Sequence, residues 1–400
     1  MRSGVESPSR RRLRGFWTVA VTFGLFLAAA SAPSPLYAIY AQRWSFSTGV
    51  LTAVFAVYSV ALLATLLTAG SLSDAIGRRP VILASIGIQS VAMFAFIVAD
   101  GVGWLVGARV LQGLATGLVT GASAAALIDL QPVSPPGFGA LVNSVTPTVG
   151  LAVGALGAGA LVQFGPEPLR AIYVLLLVCF LLCGAAMMRV PETVMTRSRP
   201  HLRPRVAVPR SIRPAFIAGL PALIAPWALG GLWLSLGPSL LMDMTGSSDR
   251  FAGGLVIFVL CIFGAIASIL ARKQPPRTAM VAGCAALVVG VALTGVAIIA
   301  SSPWLLFACT AVAGGGFGVS FLGAFKTLAS LADPGSRGAV ISAIYVVAYL
   351  AFSIPAVIAG VLAAQLGLRV TALGYVVCVT VIAAAAIPLA RRAGTVRLET

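Results

Sequence analysis

The sequence predicts an all-α polytopic membrane protein with twelve transmembrane helices, arranged as two pseudo-symmetric six-helix bundles. Three observations predict this fold class. Of the 400 residues, 59% are hydrophobic and only 9% are charged, whereas soluble domains carry about 25% charged residues. The apolar residues also fall into successive stretches of about 20, which is the length that spans a bilayer. Finally, short sequence features recur at a spacing of about 200 residues, as in transporters built from internal repeats.

The apolar stretches are separated by short polar connectors that leave no room for soluble domains. The first stretch is longer than the apolar core of a signal peptide, which has about 7–15 residues, so we expect it to be retained as the first helix. The predicted spans are about 16–40, 49–70, 80–99, 103–128, 137–164, 170–188, 214–242, 251–271, 278–300, 303–328, 338–364 and 370–390. The Pro/Arg-rich segment 189–213 is predicted to be a cytoplasmic linker between an N-terminal bundle, 1–188, and a C-terminal bundle with a short basic tail, 214–400.

The distribution of basic residues predicts the orientation in the membrane. The formal net charge is +17, but the basic residues stand in short clusters between apolar runs, so we expect no nucleic-acid partner. Of the 27 Lys and Arg residues, 22 lie on the side of the N-terminus, four lie on the opposite side, and Arg109 lies within a span. The positive-inside rule then predicts a multi-pass protein of the bacterial inner membrane, with both termini in the cytoplasm and basic clusters against anionic lipids.

The two halves repeat sequence features in the same order. Trp104-Leu105 recurs as Trp304-Leu305, and Leu169-Arg170 recurs as Leu368-Arg369. Many secondary transporters place a substrate site between two such repeats, and the halves move relative to each other around it. The repeat is therefore the main argument for transport that does not depend on motifs.

The connector between the second and third spans has a specific spacing of glycine and charge, G-x-L-x-D-x-x-G-R-R. Its defining residues are Gly70, Asp74, Gly77, Arg78 and Arg79. Taken alone, the segment is a tight turn whose arginines face lipid headgroups. The complete spacing resembles the signature loop of the major facilitator superfamily, and the two-times-six organisation extends that resemblance over the whole chain.

The resemblance implies that the loop belongs to a charge cluster that holds the inner gate closed in one conformation. An acidic residue at the cytoplasmic end of the fourth helix often joins this cluster, and Asp129 occupies that place. We therefore expect a latch formed by Asp74, Arg78 and Asp129, because a partly buried charge pair is costly to break from one side. The alternative is that Asp129 is a solvated helix end.

Arg109 is the one clear formal charge within a predicted span. Trp104 marks the outer interface, so Arg109 lies about 7–8 Å deeper, at 1.5 Å per residue. With Gln112 and Gly113 it forms R-x-x-Q-G, which is similar to the helix-4 motif of facilitator-family exporters, whose arginine is linked to proton coupling. The resemblance implies a role in proton coupling or substrate binding. The alternative is an arginine that reaches the outer headgroups by snorkelling.

The fifth span contains a set of small residues and one proline: Pro147, Gly150, Gly154, Gly157 and Gly159. Glycines at these spacings form a smooth face for close helix packing. The pattern is similar to the helix-5 motif of drug/proton antiporters. It departs from that motif in having Ala155 where proline follows Gly154, and in separating Gly157 from Gly159. General small-residue packing is the alternative.

Prolines predict breaks in the first and seventh spans, because proline removes a backbone donor. The prolines are Pro33, Pro35, Pro221, Pro226 and Pro238, and they are gating bends or static kinks. In the family that the chain resembles, helices 1, 4, 7 and 10 form most of the cavity, with contributions from helices 5 and 11. The candidates for the cavity lining on these helices are Ser31, Pro33, Gln112, Asn143, Trp227, Trp233, Tyr345 and Tyr349. For each aromatic residue, packing within the bundle is the alternative.

No Asp or Glu lies near the middle of any predicted span. A strongly cationic substrate needs a buried carboxylate, so we expect a neutral, weakly acidic or lipophilic substrate. With no intramembrane histidine or metal-ligand set, we expect neither an enzyme nor a cofactor. The resemblance to twelve-helix drug/proton antiporters implies a monomer that exports small lipophilic compounds by alternating access.

Two questions stay open at the level of sequence. The same architecture would serve an uptake or facilitated-diffusion carrier for a small nutrient or metabolite. The proton carrier is also not identified: Asp74 or Asp129 titrates at a gate, coupling runs through Arg109 and the substrate, or transport is not coupled to protons.

Overall fold

The computed structural model describes residues 8–69, 72–132, 138–194, 206–247, 249–333 and 337–392, and these contain helices but no strand. The principal helices are α1 (Pro8–Ser31), α2 (Thr48–Ala69), α3 (Arg78–Ile97), α4 (Val102–Leu130), α5 (Phe138–Phe164), α6 (Ala171–Met187), α7 (Arg213–Ser235), α8 (Arg250–Leu270), α9 (Pro276–Ile299), α10 (Pro303–Leu331), α11 (Arg337–Leu366) and α12 (Leu368–Arg392).

These helices confirm the predicted fold class. Within the described ranges, eleven helical stretches are long and apolar enough to cross a membrane. The twelfth, α6, has 17 residues, at the lower end of the range of about 17–25 that spans require. Short connectors make successive helices run in alternating directions. The start of α1 and the end of α12 therefore lie at one face, here called the terminal face, and the opposite one is the far face.

Helices α1 and α7 are each followed by a break and a second helical piece. After α1 comes a 3₁₀ turn, Ser34–Leu36, and then a helix, Tyr37–Arg43. After α7 comes a helix, Gly237–Thr245, with Leu236 at the junction. The predicted breaks at Pro33, Pro35 and Pro238 are thus confirmed, because a proline cannot donate the hydrogen bond that would continue the helix. The other two prolines of the seventh span lie inside α7, which continues through them.

Within the N-terminal half, glycines bring helix backbones into contact. A Cβ on Gly113 of α4 would collide with the Tyr58 carbonyl of α2. A Cβ on Gly154 of α5 would collide with the backbone of Ala28 in α1. Such close approach maximises van der Waals contact, which drives helix association in lipid. The close packing of the α2–α4 and α1–α5 pairs therefore requires glycine at these two positions.

The two halves meet mainly through two helix pairs, α5 with α8 and α2 with α11. On α5, a Cβ at Gly159 would come within 2.8 Å of the Arg250 carbonyl, and Gly254 packs against the backbone of Ala155. On α11, a Cβ at Gly360 would collide with the buried side chain of Thr52. Both contacts lie in the far-face half of the helices. The two bundles are therefore in contact at that end of the molecule.

Candidate functional site

The structure brings the three members of the expected latch together at the terminal face. Arg78, the first residue of α3, forms an ion pair with Asp74 of the short helix Leu72–Ile76. Its Nε lies 3.4 Å from the Asp129 Oδ2 near the end of α4. The Arg78 side chain is 15% exposed, against 63% for Asp74 and 35% for Asp129. The arginine is therefore the enclosed member between two wetter carboxylates. Gly70 lies outside the described residues.

A residue that the sequence analysis did not select, Glu192, completes this site. It lies five residues after α6, and its Oε1 and Oε2 accept the backbone N–H groups of Arg78 and Arg79 at 2.9 and 3.1 Å. Glu192 thus caps the first turn of α3, whose N–H groups have no partner within the helix. Gly77 is needed beside it, because its φ is +115° and a Cβ would collide with the carboxylate.

The Glu192 carboxyl titrates differently from a free one. Partial burial raises its pKa, but hydrogen bonds from four backbone N–H groups lower it by more, and the pKa lies below the ordinary value. The next residue, Thr193, donates to the Asp129 Oδ2 at 2.8 Å. Arg79 donates from Nη1 to the carbonyl of Val190 at 3.4 Å. The start of the linker is therefore part of the latch, not a passive connection.

Arg109 is fully buried within the N-terminal half. Its Nε donates to the Tyr37 hydroxyl at 2.7 Å, and Nη2 contacts the same oxygen. Its Nη1 donates to the Ala30 carbonyl at 3.0 Å and to the Gln112 Oε1 at 2.5 Å. Among the hydrogen bonds described, every acceptor is a neutral oxygen. The guanidinium points into the bundle, as intramembrane charges do by default, and the snorkelling alternative does not describe this arrangement.

The break after α1 supplies the carbonyl groups that hold this site. In a continuous helix the Ala29 carbonyl would accept the N–H of residue 33, but Pro33 has none. The Gln112 Nε2 donates to that carbonyl instead, at 2.9 Å. The exposed carbonyls at a helix C-terminus also carry partial negative charge, which stabilises a cation such as Arg109. Because Pro33 has no N–H, the Ala29 carbonyl is left free to accept a hydrogen bond from Gln112 of α4. The sequence analysis did not assign this role to Pro33.

Aromatic rings connect the Arg109 site to the other half of the molecule. The guanidinium lies over the Tyr37 ring at 5.4 Å and over the Tyr58 ring at 5.2 Å, distances at which a cation is attracted to the π face. Tyr58 belongs to a small apolar cluster with Ala30 and Leu62, and Tyr349 of α11 packs against this cluster. The cluster therefore lies between the Arg109 site and the C-terminal bundle.

The small residues of α5 have different environments. Gly150 and Gly154 pack against α1, and Gly159 packs against α8. Gly157 has open space where a Cβ would lie, so it is not part of a packing contact, contrary to the expectation for this position. Pro147 lies inside the continuous helix.

The residues implied as cavity lining divide into two groups. Ser31, Pro33, Gln112 and Trp233 are buried, and Trp233 packs against Gly237 in the core instead of facing a cavity. Ser31 donates to the Leu151 carbonyl at 2.8 Å and joins α1 to α5. The other residues are partly exposed: Asn143, Trp227, Tyr345 and Tyr349. The last three meet in one aromatic cluster with phenylalanines of α10, which the sequence analysis did not select.

A twelve-helix membrane protein with six-helix halves, paired helix breaks and a buried intramembrane cation has the architecture of a secondary transporter. The family model of the Major Facilitator Superfamily matches residues 18–354, which is more than half of the chain. The chain therefore belongs to the major facilitator superfamily of membrane transporters.

Solved structures and a curated relative add to this assignment. A bacterial homologue of the human lysosomal transporter Spinster, in an inward-facing and unoccupied conformation, matches with a TM-score of 0.79 and 16% identity over 96% of this chain and 98% of that one. Its occupied form gives a TM-score of 0.76 at 15% identity over the same shares. An uncharacterised MFS-type transporter of Mycobacterium tuberculosis is 31% identical over 110 residues, which are 28% of this chain. The match spans only 19% of that relative's length.

Proposed function

We propose that this transporter is a monomeric, proton-coupled exporter of small lipophilic compounds in the bacterial inner membrane, with the terminal face in the cytoplasm. The orientation is supported by the 22 of 27 basic residues on that side, which would also contact anionic lipids. The export direction is supported by the resemblance of α4 to the R-x-x-Q-G motif. The single observation that carries the proposal is the environment of Arg109.

The buried Arg109 limits both the substrate and the coupling ion. Its hydrogen bonds go to neutral oxygens, so its positive charge is not cancelled within those contacts. A second cation nearby would be repelled strongly in a low-dielectric interior. The site therefore favours a neutral or weakly acidic substrate.

Asp74 and Asp129 are the acidic groups closest to the proposed inner gate. They pair with Arg78, and protonation of either one would remove part of that pairing. A proton arriving from the cytoplasm or leaving to it at this site would thereby be coupled to opening of the terminal face. This coupling is part of the proposal and is separate from the role of Arg109.

Drug tolerance in a sensitised bacterial strain tests the proposed function. Expression of the wild-type chain should raise tolerance to lipophilic antibiotics, and a protonophore should abolish the gain. Arg109→Gln should remove the gain, whereas Arg43→Gln, at an exposed arginine that follows the α1 break, should retain it. Substrate accumulation in the cells would identify an uptake carrier instead. Tolerance that persists with the protonophore would reject proton coupling.

A further inference from the structure

We propose that the far-face end of α6 forms a binding site for an aminophospholipid, a lipid whose headgroup carries both a phosphate and a primary ammonium group. Five side chains define the site, here called the lipid groove: Glu167, Arg170, Val174, Leu175 and Val178. They line one open groove of about 720 Å³ on the surface of the N-terminal half. The lipid groove is separate from the latch and from the Arg109 site, and its occupation does not require the proposed export.

The part of the lipid groove that lies towards the middle of the membrane is apolar. Val174, Leu175 and Val178 are 46%, 51% and 47% exposed. Arg170, Val174 and Val178 follow one another at intervals of four residues, so they lie on one face of the helix. The stripe from Arg170 to Val178 covers about 12 Å along the helix axis, at 1.5 Å per residue. An acyl chain lying along this stripe would have its headgroup beside Arg170.

The far-face end of the groove holds two side chains of opposite charge. The N–H groups of Arg170 and Ala171 donate to the Glu167 carbonyl at 2.9 and 3.0 Å, and these bonds hold the turn before α6. The charged groups take no part in them. Within the described residues, neither the Glu167 carboxylate nor the Arg170 guanidinium has a hydrogen-bond or ion-pair partner. Both side chains are exposed and line the groove, so a ligand with one cationic and one anionic group can pair with both.

The corresponding arginine of the second repeat has a carboxylate partner within the protein. Leu169-Arg170 recurs as Leu368-Arg369 at the start of α12. The Arg369 Nε donates to the Asp243 Oδ2 at 2.8 Å. Arg170 has the same place in the N-terminal half but lines the open groove. A lipid phosphate would therefore supply to Arg170 the negative charge that Asp243 supplies to Arg369.

The length of α6 brings these charges to the level of the lipid headgroups. The helix has 17 residues, which is about 25 Å at 1.5 Å per residue, whereas the hydrocarbon core is about 30 Å thick. A short span is accommodated by local thinning of the bilayer and by flanking side chains that reach the headgroups. Glu167 and Arg170 flank α6 at the far face, so phosphate and ammonium groups of the lipid lie within their reach.

Charge complementarity selects the headgroup. Arginine binds a phosphate through two parallel N–H···O bonds, and a carboxylate accepts a strong hydrogen bond from an ammonium group. Phosphatidylethanolamine has both groups. Phosphatidylglycerol has the phosphate without a cation, so it would leave Glu167 unpaired beside an anionic lipid. Phosphatidylcholine has a cation without an N–H and cannot donate to Glu167. We therefore expect phosphatidylethanolamine to bind best.

Three phospholipids with the same acyl chains test the site on the full chain. The protein is purified in detergent and titrated with phosphatidylethanolamine, phosphatidylcholine or phosphatidylglycerol, and native mass spectrometry gives the affinity for each lipid. Phosphatidylethanolamine should bind about threefold to fivefold more tightly than the other two, as expected for one additional ion pair near the surface. Equal binding of all three lipids would overturn the proposal.

Variants at the two charges assign the preference to the lipid groove. Glu167→Gln should remove most of the preference for phosphatidylethanolamine over phosphatidylcholine, and Glu167→Lys should make phosphatidylglycerol the tightest ligand. Arg170→Gln should weaken all three lipids. Arg43→Gln, at an exposed arginine of the same face, is the control and should change none of them. Because neither charged side chain of the groove has a partner within the described residues, these variants are expected to fold normally.

Two further outcomes would replace the lipid with another occupant. Glycerophosphoethanolamine has the same headgroup but no acyl chains, so it should not displace the lipid at equal concentration. Displacement would show that a free phosphate compound occupies the charged end, without use of the apolar stripe. A dimer mass that falls as lipid is added would assign the groove to a second copy of the chain. Either outcome, or an unchanged preference in Glu167→Gln, would overturn the proposal.

Discussion

Arg78 and Arg109 both stand at motif positions in the N-terminal half, and their surroundings differ in nearly every respect. Arg78 lies at the terminal face between two carboxylates, with 15% of its side chain exposed. Arg109 is fully buried and bonded to a hydroxyl, a carbonyl and an amide. The ion pairs of Arg78 lie beside solvent at the terminal face. The hydrogen bonds of Arg109 are shielded from solvent in this conformation, because its side chain is fully buried.

The difference separates a switch from a fixed element. Ion pairs near the surface contribute about 0–1 kcal/mol each, because solvent screens them, so opening the latch requires little free energy. Removing a partner from a buried polar site costs the full desolvation penalty of each group left unpaired. We infer that the ion pairs of Arg78 form and break as the gate closes and opens. We also infer that Arg109 keeps its positive charge and its contacts throughout the cycle.

The same substitution at both arginines gives the largest expected contrast. Lysine keeps the charge but loses the planar fork, so Arg109→Lys leaves either Tyr37 or the Ala30 carbonyl without a donor. We expect it to lower the free energy of unfolding by about 2–3 kcal/mol and to lower transport at least about tenfold. Arg78→Lys should cost less than about 1 kcal/mol. Thermal unfolding in nanodiscs and vesicle transport measure both, and equal losses would remove the distinction.

The second prediction concerns the acceptors of the Arg109 site. Pro33→Ala introduces an N–H that competes with Gln112 for the Ala29 carbonyl. The new backbone bond offsets the lost side-chain bond, so we expect little change in stability but a fall in transport of about fivefold, equivalent to about 1 kcal/mol. Pro35→Ala is the control, since Pro35 faces a different carbonyl. If both variants transport normally, the break is a static kink.

The third prediction measures the switch directly. Asp129→Asn removes the less exposed carboxylate of the latch, and we expect it to shift the ratio of the two conformations by about fivefold, or about 1 kcal/mol. Asp74→Asn should shift it less, because Asp74 is 63% exposed. Spin-label distances between the halves at the terminal face give the two populations. An unchanged distribution in Asp129→Asn would exclude that carboxylate from the latch.

The smallest expected effect is the pH dependence of the α3 cap. The folded-state pKa of Glu192 lies below the ordinary value of 4.5. Its contribution to stability is therefore fully present above about pH 4.5 and is lost as pH falls through the lower, folded-state pKa. Glu192→Gln should cost about 0.5–1 kcal/mol at neutral pH and flatten the acid limb. Amide exchange in the first turn of α3, measured against pH, reports the stability of the cap. The prediction is contradicted if the wild-type protein and Glu192→Gln lose protection in the same way as the pH falls.

Local sequence patterns predicted the spans and several motif contacts. Apolar length located the twelve helices, and the prolines located the breaks after α1 and α7, because both properties act within a few residues. The pairing of Asp74 with Arg78 was expected from the resemblance of the connector to the family's signature loop, and the two residues lie only four positions apart. Gly150 and Gly154 also pack as predicted, because a glycine face has few other uses in a helix.

Contacts between distant segments could not be predicted from one sequence. Glu192 lies 114 residues from Arg78, and nothing in its neighbourhood distinguishes it from an ordinary linker carboxylate. Phe321 contacts Trp227 from a different helix, and this contact depends on how the two helices pack. Trp233 was expected in the cavity from its helix alone, but the direction of a side chain around a helix depends on the neighbours that cover it. Gly157 was likewise expected to pack from its spacing alone, but no neighbouring helix covers its position.

The glycine contacts between the halves have a consequence for the transport cycle. Gly360 against Thr52 and Gly254 against Ala155 are close contacts between the halves, one in each of the two helix pairs that join them. We infer that the bundles tilt about these two contacts. Because the glycine contributes no side chain, Gly360 lies directly against the Thr52 side chain and Gly254 lies directly against the Ala155 backbone. A methyl group added at Gly360 would collide with Thr52 and push α11 away from α2. The relative stability of the carrier's two conformations would then change through a single added carbon atom.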